Sequence, residues 1–184
     1  MRVQSATSVG LPRLPNVHRP FCEYEAFRNF AGPLFAAYRD FRLLTGLRRC
    51  NILRIKRNHI QDDGIHIHIS KSKKAILIEW SNLLKEAVRN IRQLDRPVTG
   101  MHLFTTRKGQ PYSDGGFLSI WQRKMRKAIK DGIIKERFWD HDIRAKTGSD
   151  SINLQQASEL LAHADKKITE RYYRRKEQKV RPLG

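Results

Sequence analysis

The hydrophobic period of this chain switches twice, and the switch limits the possible folds more than any other feature of the sequence. From Pro33 to Thr45 the apolar residues Leu34, Phe35, Tyr38, Phe41 and Leu44 recur at helical spacing. Pro33 suits a first helical turn, and Gly46 can supply the left-handed conformation that stops a helix. Between Asn58 and Glu79 the period drops to two. There Ile65, Ile67 and Ile69 alternate with His66 and His68, the run Lys71-Ser72-Lys73-Lys74 interrupts, and Ala75-Ile76-Leu77-Ile78 follows. Helical spacing then returns, which predicts an α+β fold: mainly α-helical, with a small antiparallel sheet of about three strands and a lysine-rich turn.

The rest of the chain fills in that outline. A short helix is expected from Arg48 to Ile55. Ser81 is placed to cap a one-faced helix through Leu83, Leu84, Ala87, Val88 and Ile91. Asp95 to Gln110, with Pro97, Gly100 and Gly109, reads as loop. Ser113 or Asp114 can cap a further helix that turns Phe117, Trp121, Met125, Ala128 and Ile129 inward and Arg123, Lys124, Arg126, Lys127 and Lys130 outward. His141 to Ser149, a segment through Ala157, Leu160 and Leu161, and a segment capped by Asp165 complete the helices. Trp80, Trp121 and Trp139 are expected in the core. Residues 1–27, with Gly10, Pro12, Pro15 and Pro20 among polar residues, read as a flexible lead-in, and residues 28–184 as one domain.

Charge narrows the partner. Lys and Arg number 37 against 18 Asp and Glu, a formal net charge of +19, which disfavours compactness unless a polyanion is bound. A ribosomal protein or a membrane-surface protein carries the same signature, but nucleic acid leads, and charge does not separate an enzyme from a binder. Cys22 and Cys50 show neither zinc nor disulfide spacing, which fits a reducing cytoplasmic setting. Met1 to Pro15 has no signal-peptide core, and no run of about 18 apolar residues predicts a membrane span. His66 and His68 share a strand face without a third ligand type nearby, so they read as exposed strand positions and not as a metal site. No Gly-rich phosphate loop occurs, and no cofactor is expected.

Four separated segments carry polar groups that core packing does not require: Thr45-Gly46-Leu47-Arg48; Lys71-Ser72; His141-Asp142-Ile143-Arg144; and Leu160-Leu161-Ala162-His163 with Thr169-Glu170-Arg171-Tyr172-Tyr173. In that order they resemble the tyrosine recombinases of the phage integrase kind, whose pattern is T-G-x-R, a Lys in a β-turn, H-x-x-R on a helix, a His after L-L-G, and a Tyr nine or ten residues beyond it. The resemblance spans roughly Phe27 to Val180. It implies a catalytic domain that cleaves and rejoins DNA through a covalent 3′-phosphotyrosine.

The chemistry accounts for the residue types. A phosphodiester transition state spreads negative charge over two non-bridging oxygens, and planar guanidinium groups match that geometry with permanent bidentate donors. Arg48 and Arg144 would form this clamp. A single arginine in so basic a chain is by default a solvated cation, but Arg48 follows a Gly-bearing helix end, and Arg144 lies one turn from His141 on the same face. The nucleophile must leave a phosphoester stable enough to be rejoined, which suits a Tyr phenol beside a base. Tyr172 lies nine residues after His163 and Tyr173 ten. The local T-E-R-x-Y-R-R pattern resembles a phage subgroup and favours Tyr173, with Tyr172 left open. By the same resemblance His141 is the base or a phosphate ligand, His163 a second phosphate donor, and Lys71, with Lys73 in reserve, the acid for the leaving 5′ oxygen. DNA contacts are assigned to Arg49, Lys73, Lys74, Arg123, Lys124, Lys127, Lys146, Arg174 and Arg175. The implied partners are duplex DNA and a homo-tetramer formed on DNA by the full-length enzyme.

Three departures accompany the resemblance. Asn51 stands where the family has an acidic residue, so an amide would orient the Arg48 scaffold. Ala162 replaces a Gly, at a cost of about 1 kcal/mol if that position needs positive φ. No helical DNA-clamping domain is readable before residue 27. The competing reading is a basic integrase remnant that binds DNA without cutting it; a type IB topoisomerase relative is more distant.

Overall fold

The computed structural model describes residues 21–69 and 75–151, together with Gln155, Ala157 and Leu161. Helices α1 (Phe21–Ala31) and α2 (Pro33–Thr45) lead into the short α3 (Arg49–Leu53) and a 3₁₀ turn at Arg57–His59. The strands β1 (Gly64–His68) and β2 (Ala75–Glu79) follow, then α4 (Asn82–Arg92), α5 (Asp114–Lys130) and α6 (Asp140–Asp150).

Helix boundaries follow the expected chemistry. Pro33 opens α2, and Gly46 closes it at φ 61°, donating its N–H to the Arg42 carbonyl. A side chain at Gly46 would meet the left-handed penalty at the point where the chain must turn toward Arg48. Ser81 caps α4 by accepting from Leu84 N at 3.2 Å, and Ser113, not Asp114, caps α5 by accepting from Gly116 N at 3.1 Å.

β1 and β2 pair antiparallel with Ile65 opposite Ile78 and Ile67 opposite Ile76. These four isoleucines face the core, and His66 and Leu77 face outward. Among the described residues the sheet has two strands. A third strand is not found among them, and next to the pair, Ile60 and Ile65 form an isolated bridge.

The core is aromatic. Phe27, Phe35, Tyr38, Phe41, Phe104, Phe117, Trp121 and Phe138 form one cluster of ring contacts, with Phe27 4.9 Å from Trp121 and Tyr38 4.5 Å from Phe117. Helix α2 lies at its centre, packed on α1, α4 and α6.

Two expectations are corrected here. The ordered fold reaches back to Phe21, into the stretch read as lead-in, because Tyr24, Phe27 and Ala31 form a helical stripe buried against Phe138 and Trp121. Ile129 is 37% exposed and Trp139 54% exposed, so neither belongs to the core; Trp139 stands just ahead of α6 with Arg137 stacked 3.9 Å over its ring. The loop from 95 to 110 places Leu103 and Phe104 in the core. No described helix is long and apolar enough to cross a membrane.

Candidate active site

The turn that ends α2 builds one half of the site. Thr45 Oγ1 donates back to the Phe41 carbonyl at 2.8 Å, Leu47 is buried, and Arg48 is the residue from which α3 starts, its carbonyl accepting from Asn51 N and Ile52 N. The Arg48 side chain is half-buried and has no carboxylate partner among the described residues, so its charge is available to an anion. Asn51 is buried beneath the turn. The carboxylates near it come from elsewhere: Asp114 Oδ1 and Oδ2 accept from Arg49 Nε and Nη2 at 2.8 and 2.7 Å, and Asp140 Oδ2 accepts from Arg49 Nη1 at 3.0 Å. This pairing holds the Asp114 carboxyl below its usual range and raises the Arg49 guanidinium above its own.

Helix α6 supplies the other half. Asp142 Oδ2 accepts from Trp139 N at 2.8 Å and caps the helix start, which sets His141 in its first turn, exposed to solvent. The protein behind the ring and the charges of Arg42 and Arg144 lower the His141 pKa below 6.5, against the opposing pull of Asp142 and Asp140. One turn on, Arg144 is buried, and its two terminal nitrogens donate to the carbonyls of Gly46 and Leu161. Those carbonyls each lie two residues before a motif residue, Arg48 and His163. Thr147 Oγ1 adds a bond to the Leu43 carbonyl at 2.9 Å, fixing α6 along the end of α2.

Arg144 thereby ties α6, which carries His141, to the turn that leads to Arg48. Lys71, His163, Tyr172 and Tyr173, and of the assigned DNA contacts Lys73, Lys74, Arg174 and Arg175, lie outside the described residues. The remaining assigned cations differ in their surroundings. Arg49 is held by two carboxylates, Lys146 reaches Asp150 at 2.8 Å, and Lys127 reaches Asp131 at 2.6 Å. Lys124 lies 5.5 Å over the Phe35 ring, and Arg123 is exposed. Outside the assigned set, Arg126 and Lys130 extend the exposed face that Arg123 begins on α5.

Sequence reasoning missed the groups beneath the site. Arg42 is 2% exposed and bonds the Tyr38 hydroxyl at 2.7 Å and Asp140 at 3.2 Å. The Tyr38 hydroxyl donates to Asp140 Oδ1 at 2.8 Å, and burial lifts its pKa well above the usual tyrosine value. One signal was readable: Arg42, one turn past Tyr38, falls on the inward face of α2, where a cation needs a buried anion.

Known proteins share this fold. The phage integrase family matches residues 35–179, and the chain belongs to that family. A search of curated proteins returned no significant match. Among solved structures, a lambda integrase dimer bound to a COC′ core site superposes at a TM-score of 0.68 with 19% identity, over 88% of this chain and 60% of that one. The Tn1549 transposon integrase in complex with circular intermediate DNA gives 0.66 with 15% identity, over 91% and 62%. The XerA recombinase gives 0.67 with 16% identity, over 89% and 61%. The fold is thus that of a tyrosine recombinase catalytic domain, and the chain spans about three fifths of the length of these neighbours.

Proposed function

We propose that this chain is the catalytic domain of a site-specific DNA recombinase that cleaves and rejoins duplex DNA through a phosphotyrosine, without a metal. The observation that supports the reading is the Arg144 side chain, whose bonds to the Gly46 and Leu161 carbonyls tie three motif segments to one another. Arg48 and Arg144 bind the non-bridging oxygens of the scissile phosphate and stabilise their charge as the pentavalent state forms. The phenol oxygen of Tyr173, or of Tyr172, bonds to phosphorus while the bond to the 5′ oxygen breaks. Its proton passes to His141, which the site keeps neutral, and Lys71 returns a proton to the leaving 5′ oxygen. The reverse step, attack by a 5′ hydroxyl, releases the tyrosine and conserves the bond energy. The likeness to integrases bound to DNA supports duplex DNA as the partner and a tetramer of the full-length enzyme as the working assembly, in the cytoplasm.

Incubation with a nicked suicide duplex tests this. A covalent protein–DNA adduct that forms in EDTA and maps to the Tyr172–Tyr173 peptide is the expected result. Binding without any adduct would instead make the chain a non-cutting DNA-binding remnant.

A further inference from the structure

We infer that Asp140 is a positioning residue for cleavage: through Arg49 and Arg42 it fixes the Arg48 turn and the His141 end of α6 at one separation. The inference rests on the recombinase reading above for the reaction that it serves, and on the geometry of Asp140 for its substance.

Asp140 is 5% exposed, and both its oxygens are engaged. Oδ1 accepts from the Tyr38 hydroxyl at 2.8 Å; Oδ2 accepts from Arg49 at 3.0 Å and faces Arg42 Nη1 at 3.2 Å. One carboxylate therefore joins α2, the start of α3 and the start of α6, and Asp114 at the start of α5 is joined to it through Arg49. The two ends of this strut are the chain neighbours of reacting groups. Arg49 follows Arg48, Asp140 precedes His141, and adjacent Cα atoms are held about 3.8 Å apart, so movement of either end is passed to the reacting side chain.

Stability alone is a poor account of the network. A buried ion pair roughly breaks even against apolar residues of the same volume, and its attested use is to fix one register among several. Arg144 and Thr147 already tie α6 to the end of α2, and Asp140 adds directional bonds that reach the start of α3 as well; the Tyr38 hydroxyl, its pKa raised by burial, remains a donor throughout. The charges acting on His141 are Arg42 from α2 and Arg144, Asp142 and Asp140 from α6, and of these Asp140 touches both Arg42 and the Arg48 turn.

The test compares wild type with Asp140→Asn, which preserves volume and an acceptor oxygen while removing the charge. Adduct formation at saturating DNA, DNA affinity and the His141 titration in isotopically labelled, DNA-free protein are measured together. A displacement of about 1 Å at a reacting centre can cost on the order of 10²-fold, so the adduct rate should fall by about that much while affinity stays within about threefold. The His141 midpoint should also fall, because a carboxylate that favours the charged ring has gone. An adduct rate within about threefold of wild type, or an unmoved His141 midpoint, overturns the inference. If Asp140→Asn does not fold, Tyr38→Phe takes its place, since it keeps the ring and every charge but removes the hydroxyl that joins Asp140 to α2 and Arg42. A slowed adduct at unchanged affinity then supports the strut, and a wild-type rate overturns it. If wild type forms no adduct at all, the recombinase reading falls, and the His141 titration by itself decides whether Asp140 acts on the site.

Discussion

The guanidinium of Arg144 donates to the carbonyl of Gly46, the residue that stops α2 and turns the chain toward Arg48. The arginine expected to bind phosphate is thus also a tie between α6 and the T-G-L-R turn, whereas Arg48 has no such duty among the described residues. The two arginines of the proposed clamp should therefore fail differently when removed.

Both Arg48→Ala and Arg144→Ala should lower adduct formation by about 10² to 10³, the usual cost of one transition-state donor. Arg144→Ala should in addition lower stability, because two buried carbonyls lose their donors at about 1–3 kcal/mol each. Arg48→Ala should melt within about 0.5 kcal/mol of wild type. Thermal unfolding of both variants beside the adduct assay decides this; equal melting of the two would refute the tie between α6 and the turn.

The nucleophile is expected to be a single tyrosine of the adjacent pair, since one phenol oxygen bonds to one phosphorus, and the local sequence pattern favours Tyr173. Tyr173→Phe should abolish the adduct, and Tyr172→Phe should retain it. The reverse outcome moves the role to Tyr172. Normal adduct yield from both variants would remove the pair from the chemistry.

The pH dependence follows from His141. Its pKa in the fold lies below 6.5, so at neutral pH the ring is already unprotonated and fit to accept a proton. The adduct rate should fall on an acid limb below 6.5, and His141→Gln should remove that limb. The unfolded chain takes up its proton first, so on this account the fold also weakens as pH drops from 6.5 through the lowered value. An acid limb centred above 6.5, or one that survives in His141→Gln, would show that another group titrates.

Helix α1 is expected to be integral to the domain. Phe27 is 1% exposed and touches Trp121 and Phe138, and Phe→Ala at such a site costs about 3–5 kcal/mol. At roughly 2–4 °C per kcal/mol for a domain of this size, Phe27→Ala should lower the midpoint by about 10 °C. A shift of about 2 °C or less would mean that α1 is docked and not built in.

Much of this fold was legible because local signals agreed with the final structure. Gly46 and Ser81 ended and began helices as their backbone chemistry requires, and the alternating isoleucines of β1 set the inner face of the sheet. The start of α1 was hidden because the Pro-rich run before it dominates the local composition, while its buried stripe is only Tyr24, Phe27 and Ala31. Leu103 and Phe104 were hidden because nothing periodic surrounds two residues that plug a core from a loop. At the site, Arg48, His141 and Arg144 carry spacings that can be read in sequence. Asp140 does not: its partners Tyr38, Arg42 and Arg49 are separated from it by about a hundred residues and meet it only in the packed structure.

DNA binding should depend most on cations that no carboxylate or ring already engages. Among the described residues these are, on α5, Arg123, Arg126 and Lys130, exposed along one face, whereas Lys127 pairs with Asp131 and Lys124 covers Phe35. Each phosphate contact adds about 0.9 to the slope of log K against log salt. Replacing all three free cations with Gln should therefore flatten the slope by up to about 2.7 and weaken binding without sequence preference, if that face meets the backbone. Gln at Lys127 and Lys146, whose charges are balanced by Asp131 and Asp150, should change the slope by less than about 1. The adduct rate at saturating DNA should be unchanged in the triple variant, because none of its positions lies on α2, α3 or α6, the elements that carry the described site. Fluorescence anisotropy over a salt series, run beside the suicide-substrate assay, measures both quantities. A triple variant with the wild-type slope would take this face of α5 off the DNA, and a larger loss from Lys127 and Lys146 would mean that cations paired in the fold exchange their carboxylates for phosphate on binding.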